Sequence, residues 1–132
     1  MVEFFAALIE PPGKIDMAYK IKVLVVDDSA LVRKTITDTL SMDADIEVVG
    51  SANDPLIAMQ KIPSLHPDVI TLDMEMPRMD GFTLLRIVMQ KQPTPIIVVS
   101  SRSDDGNVFK ALELGAVEFV PKPSSKVSPI LM

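Results

Sequence analysis

The sequence predicts an α/β fold in which a doubly wound parallel sheet of five strands has helices on both faces. Five short apolar runs alternate along the chain with four stretches whose apolar residues recur at helical spacing. Several of these runs have apolar residues on both faces, which is typical of parallel strands that are buried on both sides. Acidic residues follow two of the runs directly, at the edge where such sheets bind their ligands.

The individual elements follow from the apolar pattern and from the residues that begin and end helices. Ser29 and Asp80 suit helix N-caps, Pro55 suits a first helical position, and Gly115 suits a left-handed C-cap. The predicted strands are 21–26, 46–52, 69–72, 96–99 and 116–120. The predicted helices are 30 to about 40, 55 to about 62, 81 to about 90, and about 104 to 114.

The composition of the 132-residue chain indicates one globular domain, since 48% of the residues are hydrophobic and 23% are charged. A net charge of -5 argues against general binding to nucleic acid. The chain has no cysteine, so disulfides and thiolate metal sites are excluded. The apolar run Phe4 to Ile9 is far shorter than the roughly 18 residues of a membrane span, and Glu3 stands where a signal peptide carries positive charge. We therefore expect a cytoplasmic protein without a membrane partner.

Three carboxylates are predicted to meet at the carboxyl edge of the sheet. The first strand ends on Asp27 and Asp28, and the third strand ends on Asp73. Carboxylates that lie close together repel one another unless a cation joins them. Because the chain has no cysteine and one histidine, oxygen ligands and a hard cation such as Mg²⁺ are favoured. Asp27, Asp28 and Asp73 therefore form the candidate site.

Four separated motifs, in this order, resemble the receiver domain of two-component response regulators. They are Val-Leu-Val-Val-Asp27-Asp28-Ser29, Leu72-Asp-Met-Glu-Met-Pro-Arg-Met-Asp-Gly81, Val98-Val-Ser-Ser101 and Phe119-Val-Pro-Lys-Pro123. Within this family, the chain is most similar to the regulatory domain of chemotaxis protein-glutamate methylesterase. The similarity lies in the residues of the second motif, in the serine pair, and in the stretch from Ala111 to Phe119. The resemblance covers residues 20–123, the predicted receiver domain, and implies a flavodoxin-like sheet with strand order 2-1-3-4-5.

The resemblance also implies the phosphoacceptor and the metal ligands. Asp73 would be the nucleophile that takes a phosphoryl group from a phosphohistidine of a separate sensor kinase, here a chemotaxis kinase. Asp28 and Asp73 would bind Mg²⁺ directly, Asp27 would bind it directly or through water, and the backbone carbonyl of Glu75 would be a further ligand. The bound metal would let the Asp73 carboxylate approach an anionic phosphorus.

Three further residues take roles by the same resemblance. Lys122 would bring a positive charge to the phosphoryl group, and Ser100 would donate a hydrogen bond to one of its oxygens. Ser100 and Phe119 would be the switch residues, because the new bond draws the loop after the fourth strand inward and the aromatic ring rotates in response. The added phosphoryl charge would thus change the surface of the domain.

Other functions remain open from the sequence. An Mg²⁺-dependent phosphatase with an aspartate nucleophile usually has a second aspartate two residues later, where this chain has Glu75. A flavin or nucleotide carrier would need a loop rich in glycine or hydroxyls after the first strand, where Asp27 and Asp28 would repel a phosphate. A stand-alone receiver with a different output is a further alternative. The chain has no Gly-x-Ser-x-Gly elbow, so we expect ester hydrolysis only from a C-terminal effector domain.

Both ends of the chain depart from the family pattern. Residues 1–19 form a leader whose structure the sequence does not specify, and residues 124–132 are a truncated tail or the start of a linker. This tail is short and contains Pro129, so the fifth helix is expected to be missing or truncated. The leader segment Val2 to Ile9, or a second copy of the domain in a homodimer, could cover the sheet face concerned, unless the chain is a fragment.

Overall fold

Strands and helices alternate in the computed structural model, which describes residues 19–101 and 105–122. In chain order the elements are β1 (Ile21–Val26), α1 (Ala30–Ser41), β2 (Ile46–Ala52), α2 (Pro55–Leu65), β3 (Val69–Leu72), α3 (Gly81–Lys91), β4 (Ile96–Ser100), α4 (Asp105–Glu113) and β5 (Glu118–Pro121). None of the helices in these ranges has the length and apolar character needed to cross a membrane. The predicted alternation of five strands and four helices is confirmed for this part of the chain.

All five strands are parallel, and their order in the sheet is β2-β1-β3-β4-β5, as the family resemblance implied. The order reverses between β1 and β3, which makes their carboxyl ends the expected ligand site. Val26 pairs with Leu72 at the last register position of these two strands. The backbone N–H of Asp73 also donates to the carbonyl oxygen of Val26 at 2.9 Å. Asp27 and Asp73 are therefore neighbours at the edge of the sheet.

The sheet has a hydrophobic core on each face, which explains why several of its strands have apolar residues on both faces. Successive side chains of β1 point to opposite faces, so that Val23 and Val25 join one core while Leu24 and Val26 join the other. All four are at most 1% exposed. Full burial of such side chains stabilises the fold by about 1.5–3 kcal/mol each. The paired cores therefore hold β1 and its carboxyl end in place.

Local capping sets the helix boundaries close to those predicted. The Ser29 hydroxyl accepts from the N–H of Val32 at 3.2 Å, and the Asp80 carboxylate accepts from the N–H of Phe82 at 3.1 Å. Both predicted N-caps are confirmed. Gly115 follows α4 with φ 115°, a conformation that side chains rarely adopt, as expected of its C-cap role.

Two boundaries differ from the prediction by more than one residue. Helix α2 continues through Pro63 to Leu65, although we expected it to end near residue 62. Proline removes only one backbone donor this close to the helix end, while Leu65 still packs against the core. Strand β5 begins at residue 118 rather than 116, because the N–H of Ala116 donates to Ala111 in closing α4.

The predictions for the two ends of the chain concern the leader Val2 to Ile9 and the tail 124–132, which lie outside the described ranges. Covering of a sheet face by the leader or by a second copy stays a prediction. Residues 105–122 contain α4 and β5, and the predicted loss of the fifth helix concerns residues beyond this range.

Gly81→Ala should destabilise the protein by about 1–3 kcal/mol, because the packed backbone has no room for a methyl group. A Cβ at Gly81 would lie 2.6 Å from Cα and 2.7 Å from Sδ of Met74. Thermal or urea unfolding measures the effect. Gly106→Ala, at an exposed position of α4, is the control and should change stability little or raise it slightly. Equal stability of the two variants would contradict the close contact.

Candidate functional site

Three carboxylates meet where β1 and β3 end, as the sequence predicted. Asp27 and Asp73 are each 1% exposed, whereas Asp28 is exposed. One oxygen from each of the three can be chosen so that all lie within 4.8 Å of one another. The parallel register of β1 and β3 produces this cluster, because it delivers the residues after Val26 and Leu72 to one point.

Each of the two buried carboxylates uses one oxygen for the backbone and leaves the other directed into the site. Oδ1 of Asp27 accepts from the N–H of Ser29 at 2.8 Å, and Oδ1 of Asp73 accepts from the N–H of Glu75 at 2.9 Å. Among the described residues, no hydrogen bond reaches Oδ2 of either aspartate. Two buried oxygens that lack such bonds, beside an exposed third carboxylate, suit an oxygen-coordinated cation.

Lys122 lies between the two buried carboxylates. Its Nζ is 3.4 Å from Oδ2 of Asp27 and 3.3 Å from Oδ2 of Asp73. The backbone N–H of Lys122 donates to the carbonyl oxygen of Ser100 at 3.0 Å, which places the residue at the end of β5 beside β4. The structure therefore brings together Asp27, Asp73 and Lys122, which are far apart in sequence.

Burial and like charge shift the pKa values of the site. Burial raises the pKa of Asp73 to about 6, and the charge of Asp27 adds to this, although the N–H of Glu75 and the charge of Lys122 oppose it. Burial also raises the pKa of Asp27. Burial would lower the pKa of Lys122, but the charges of Asp73 and Asp27 outweigh it and raise this pKa. Two carboxylates and one ammonium leave excess negative charge, which a divalent cation would balance.

The Glu75 side chain joins the loop after β3 to the loop after β4. Its Oε1 accepts from the Ser100 hydroxyl at 2.9 Å, the Ser101 hydroxyl at 2.6 Å and the Ser101 N–H at 3.1 Å. The bond from the Ser101 hydroxyl is the main cause that lowers the pKa of Glu75. The sequence indicated only a backbone role for Glu75, since no local pattern links it to serines 25 and 26 residues away.

Ser100 and Phe119, the predicted switch residues, line the same cavity of about 80 Å³, together with Met74, Glu75 and Asn107 among others. Ser100 is buried at the end of β4, and Phe119 is half-buried in the neighbouring β5. The Phe119 ring packs against the core that Leu24 and Val26 share. Both residues therefore border the same small cavity, which lies beside the acidic cluster.

Two arginines, which the sequence did not assign to the site, hold the loops around it. Nη1 of Arg33 donates to the carbonyl oxygen of Asp27 at 2.8 Å. Nη1 of Arg78 lies 2.8 Å from Oδ2 of Asp54, the residue that caps α2. Arg78 has φ 77°, so the ion pair accompanies a backbone conformation that is uncommon outside glycine. These contacts restrain the loops that follow β1 and β3.

Comparison with known proteins gives one consistent family. The profile of the response regulator receiver domain matches residues 23–128. A protein-glutamate methylesterase/protein-glutamine glutaminase of Geobacter sulfurreducens is 59% identical over 109 residues, which are 83% of this chain and 29% of that protein. The chain thus spans less than a third of this relative.

Solved structures agree in fold. The response regulator domain of Thermotoga maritima CheB is 45% identical with a TM-score of 0.76, and the match covers 83% of this chain and 84% of that one. A chain of the CheX-CheY-BeF3-Mg²⁺ complex from Borrelia burgdorferi is 30% identical with a TM-score of 0.77, and the match covers 83% of this chain and 84% of that one.

Without divalent cations, Asp73→Asn should raise the free energy of unfolding at pH 7 by about 1–3 kcal/mol. The pKa of Asp73 rises from 3.8 to about 6 on folding, so the folded protein holds this proton more tightly. The associated stability is full below pH 3.8 and is lost as the pH rises through about 6. Asparagine keeps the shape without the buried charge.

Thermal unfolding in a chelator at pH 4 and pH 7 measures this difference. The gain should nearly disappear at the lower pH. Asp38→Asn is the control, because Asp38 forms an exposed pair with Lys34 on α1 and should matter little at either pH. A gain at pH 4 as large as that at pH 7 would contradict the assigned cause.

Proposed function

The chain belongs to the response regulator receiver domain family, and we propose that Asp73 accepts a phosphoryl group from a phosphohistidine of a sensor kinase. The observation that carries this proposal is the placement of Asp73 Oδ2. This oxygen lies at the carboxyl end of β3, takes no hydrogen bond from the described residues, and is 3.3 Å from Lys122 Nζ. A nucleophile that is held by one oxygen and available at the other suits attack on phosphorus.

Mg²⁺ is the cofactor that the donor set supports. Asp27, Asp28 and Asp73 offer carboxylate oxygens, and the backbone carbonyl of Glu75 is the proposed fourth protein ligand. All of these are hard oxygen donors, which suit Mg²⁺ better than softer metals. When bound, the ion would supply positive charge that offsets the carboxylates and the oxygens of the phosphoryl group.

The transfer itself is a single displacement at phosphorus. Asp73 Oδ2 forms a bond to phosphorus while the phosphorus–nitrogen bond of the donor breaks, and the bonding electrons stay with the donor imidazole. Lys122 then pairs with a phosphoryl oxygen instead of with a bare carboxylate. Ser100 would donate its hydroxyl to another phosphoryl oxygen, and Phe119 would move within the cavity that both residues line. The product is an aspartyl phosphate, which is a switched state of the domain.

We assign the donor and the output by similarity to relatives. Identity of 59% to a protein-glutamate methylesterase supports a chemotaxis kinase as donor and a C-terminal methylesterase as effector. We accordingly propose a cytoplasmic location. A homodimer remains a further hypothesis, and the net charge of -5 disfavours nucleic acid as a partner.

The phosphatase alternative has no supporting observation. Glu75 stands where such enzymes place a general acid, but its carboxylate accepts three hydrogen bonds and has a lowered pKa. A carboxylate stabilised in this way is a poor proton donor. The carrier alternative would require a loop rich in glycine or hydroxyls after β1, where this chain has Asp27 and Asp28 instead.

Asp73 should be the residue that acetyl phosphate modifies, and only when Mg²⁺ is present. Asp73→Asn should abolish incorporation, because the amide lacks the nucleophilic oxygen, and Asp27→Asn should reduce it at least tenfold through lost metal binding. Intact-mass spectrometry measures the added phosphoryl group.

Asp80→Asn serves as the matched control for these variants. It removes a nearby loop carboxylate but keeps a good helix N-cap, so incorporation should persist. Undiminished incorporation into Asp73→Asn, or incorporation that survives chelation of the metal, would refute the assignment.

A further inference from the structure

One carboxylate oxygen connects the phosphoacceptor loop to the loop after β4. Glu75 Oε1 accepts from Ser100 Oγ, Ser101 Oγ and Ser101 N, a group that we call the Glu75 cluster. The other end of the residue is tied to Asp73, since the N–H of Glu75 donates to Asp73 Oδ1 at 2.9 Å. A path made of these hydrogen bonds and the intervening Glu75 side chain therefore runs from the phosphoacceptor to the end of β4.

The hydroxyl of Ser100 cannot serve both sides of this path at once. A serine hydroxyl has a single proton, so it donates either to Glu75 or to a phosphoryl oxygen on Asp73. The proposed function requires the second arrangement. Ser100 must leave the Glu75 cluster before the domain can switch, and the energy of the cluster adds to the cost of switching.

We propose that Glu75 is a positioning residue that holds Ser100 and Ser101 in the unphosphorylated arrangement and so sets the threshold for switching. This inference rests on the proposed function and adds the regulation of the same site. It gives the Glu75 side chain a role separate from the backbone carbonyl proposed as a metal ligand. Phosphorylation would itself weaken the cluster, because the new charge of about -1.5 to -2 lies two residues from the Glu75 carboxylate.

The hydrogen bonds of the Glu75 cluster are strong, yet solvent can reach the cluster. Hydrogen bonds to a carboxylate are shorter and stronger than neutral ones, and the bond from Ser101 Oγ measures 2.6 Å. Glu75 and Ser101 are nevertheless exposed. Water can therefore replace the serine donors when they leave, so the Glu75 carboxylate is not left buried without a hydrogen-bond donor. This balance suits a contact that must open in every switching event.

Affinity for beryllium trifluoride, a mimic of the phosphoryl group, tests the proposal. The probe is added with Mg²⁺, and its dissociation constant is measured for the wild type, Glu75→Ala, Glu75→Asp and Glu75→Gln. Glu75→Ala and Glu75→Asp should bind the mimic about tenfold more tightly, because neither side chain reaches the serines. Glu75→Gln keeps an acceptor oxygen at the same place and should gain about threefold.

Glu75→Asp is the matched control for electrostatics. It retains the negative charge near Asp73 but is shorter by one methylene group. If Glu75 acted only through charge repulsion, Glu75→Asp would match the wild type while Glu75→Ala and Glu75→Gln improved equally. That pattern would overturn the proposal.

Hydrogen exchange at the Ser101 amide gives a second readout without the mimic. This N–H donates to Glu75 Oε1, so its protection should fall about tenfold in Glu75→Asp and remain near the wild-type value in Glu75→Gln. Thermal unfolding of each variant reports loss of the fold separately. Unchanged Ser101 protection in folded Glu75→Asp would overturn the proposal even if the affinities changed.

The outcomes separate this inference from the function on which it rests. If neither the wild type nor any Glu75 variant binds the mimic, the proposed function fails and the inference fails with it. Suppose instead that the wild type binds the mimic, Asp73→Asn does not, and all Glu75 variants bind it with the wild-type affinity. The proposed function then stands and the inference alone fails.

Discussion

The arrangement of the site depends on two buried carboxylates that share one ammonium group at the edge of the sheet. Asp27 and Asp73 come together because β1 and β3 run parallel and end in register. Lys122 reaches both from the end of β5, yet it balances only part of their charge. The raised pKa of Asp73 results mainly from burial, and repulsion by Asp27 adds to it. A site that is electrostatically unsatisfied in the folded protein is suited to recruit a cation and, beside it, an anionic phosphoryl group.

The loops around this cluster leave the Oδ2 oxygens of Asp27 and Asp73 directed into the site. The backbone N–H groups of Ser29 and Glu75 donate to the Oδ1 oxygens of these two aspartates. Gly81 allows Met74 to approach closely, so the loop after β3 stays tight against α3. The site therefore owes its geometry to backbone contacts, while the proposed switching would move side chains at the end of β4. Fixed placement of the proposed nucleophile together with hydroxyls that can change partner is an arrangement that suits a switch.

Different parts of the fold were predictable to different degrees. Helix starts at Ser29 and Asp80 were predictable because capping is a local interaction between neighbouring residues. The end of α2 was not, since packing of Leu65 against the core outweighs the local cost of Pro63. The acidic cluster was predictable because strand ends, parallel pairing and charge together imply it. Sequence reasoning also found Lys122 and Ser100, but only through resemblance to a family, since nothing local relates them to Asp73.

The sequence by itself determined the alternation of strands and helices, the two cores and the acids at the strand ends. These features follow from periodicity and charge, which are written in consecutive residues. Tertiary structure alone decided the partners of Glu75 and the pairing of Arg78 with Asp54, which are 24 residues apart in the chain. Such contacts depend on how separate loops approach one another at the edge of the sheet. The spacing of residues along the chain does not determine that approach.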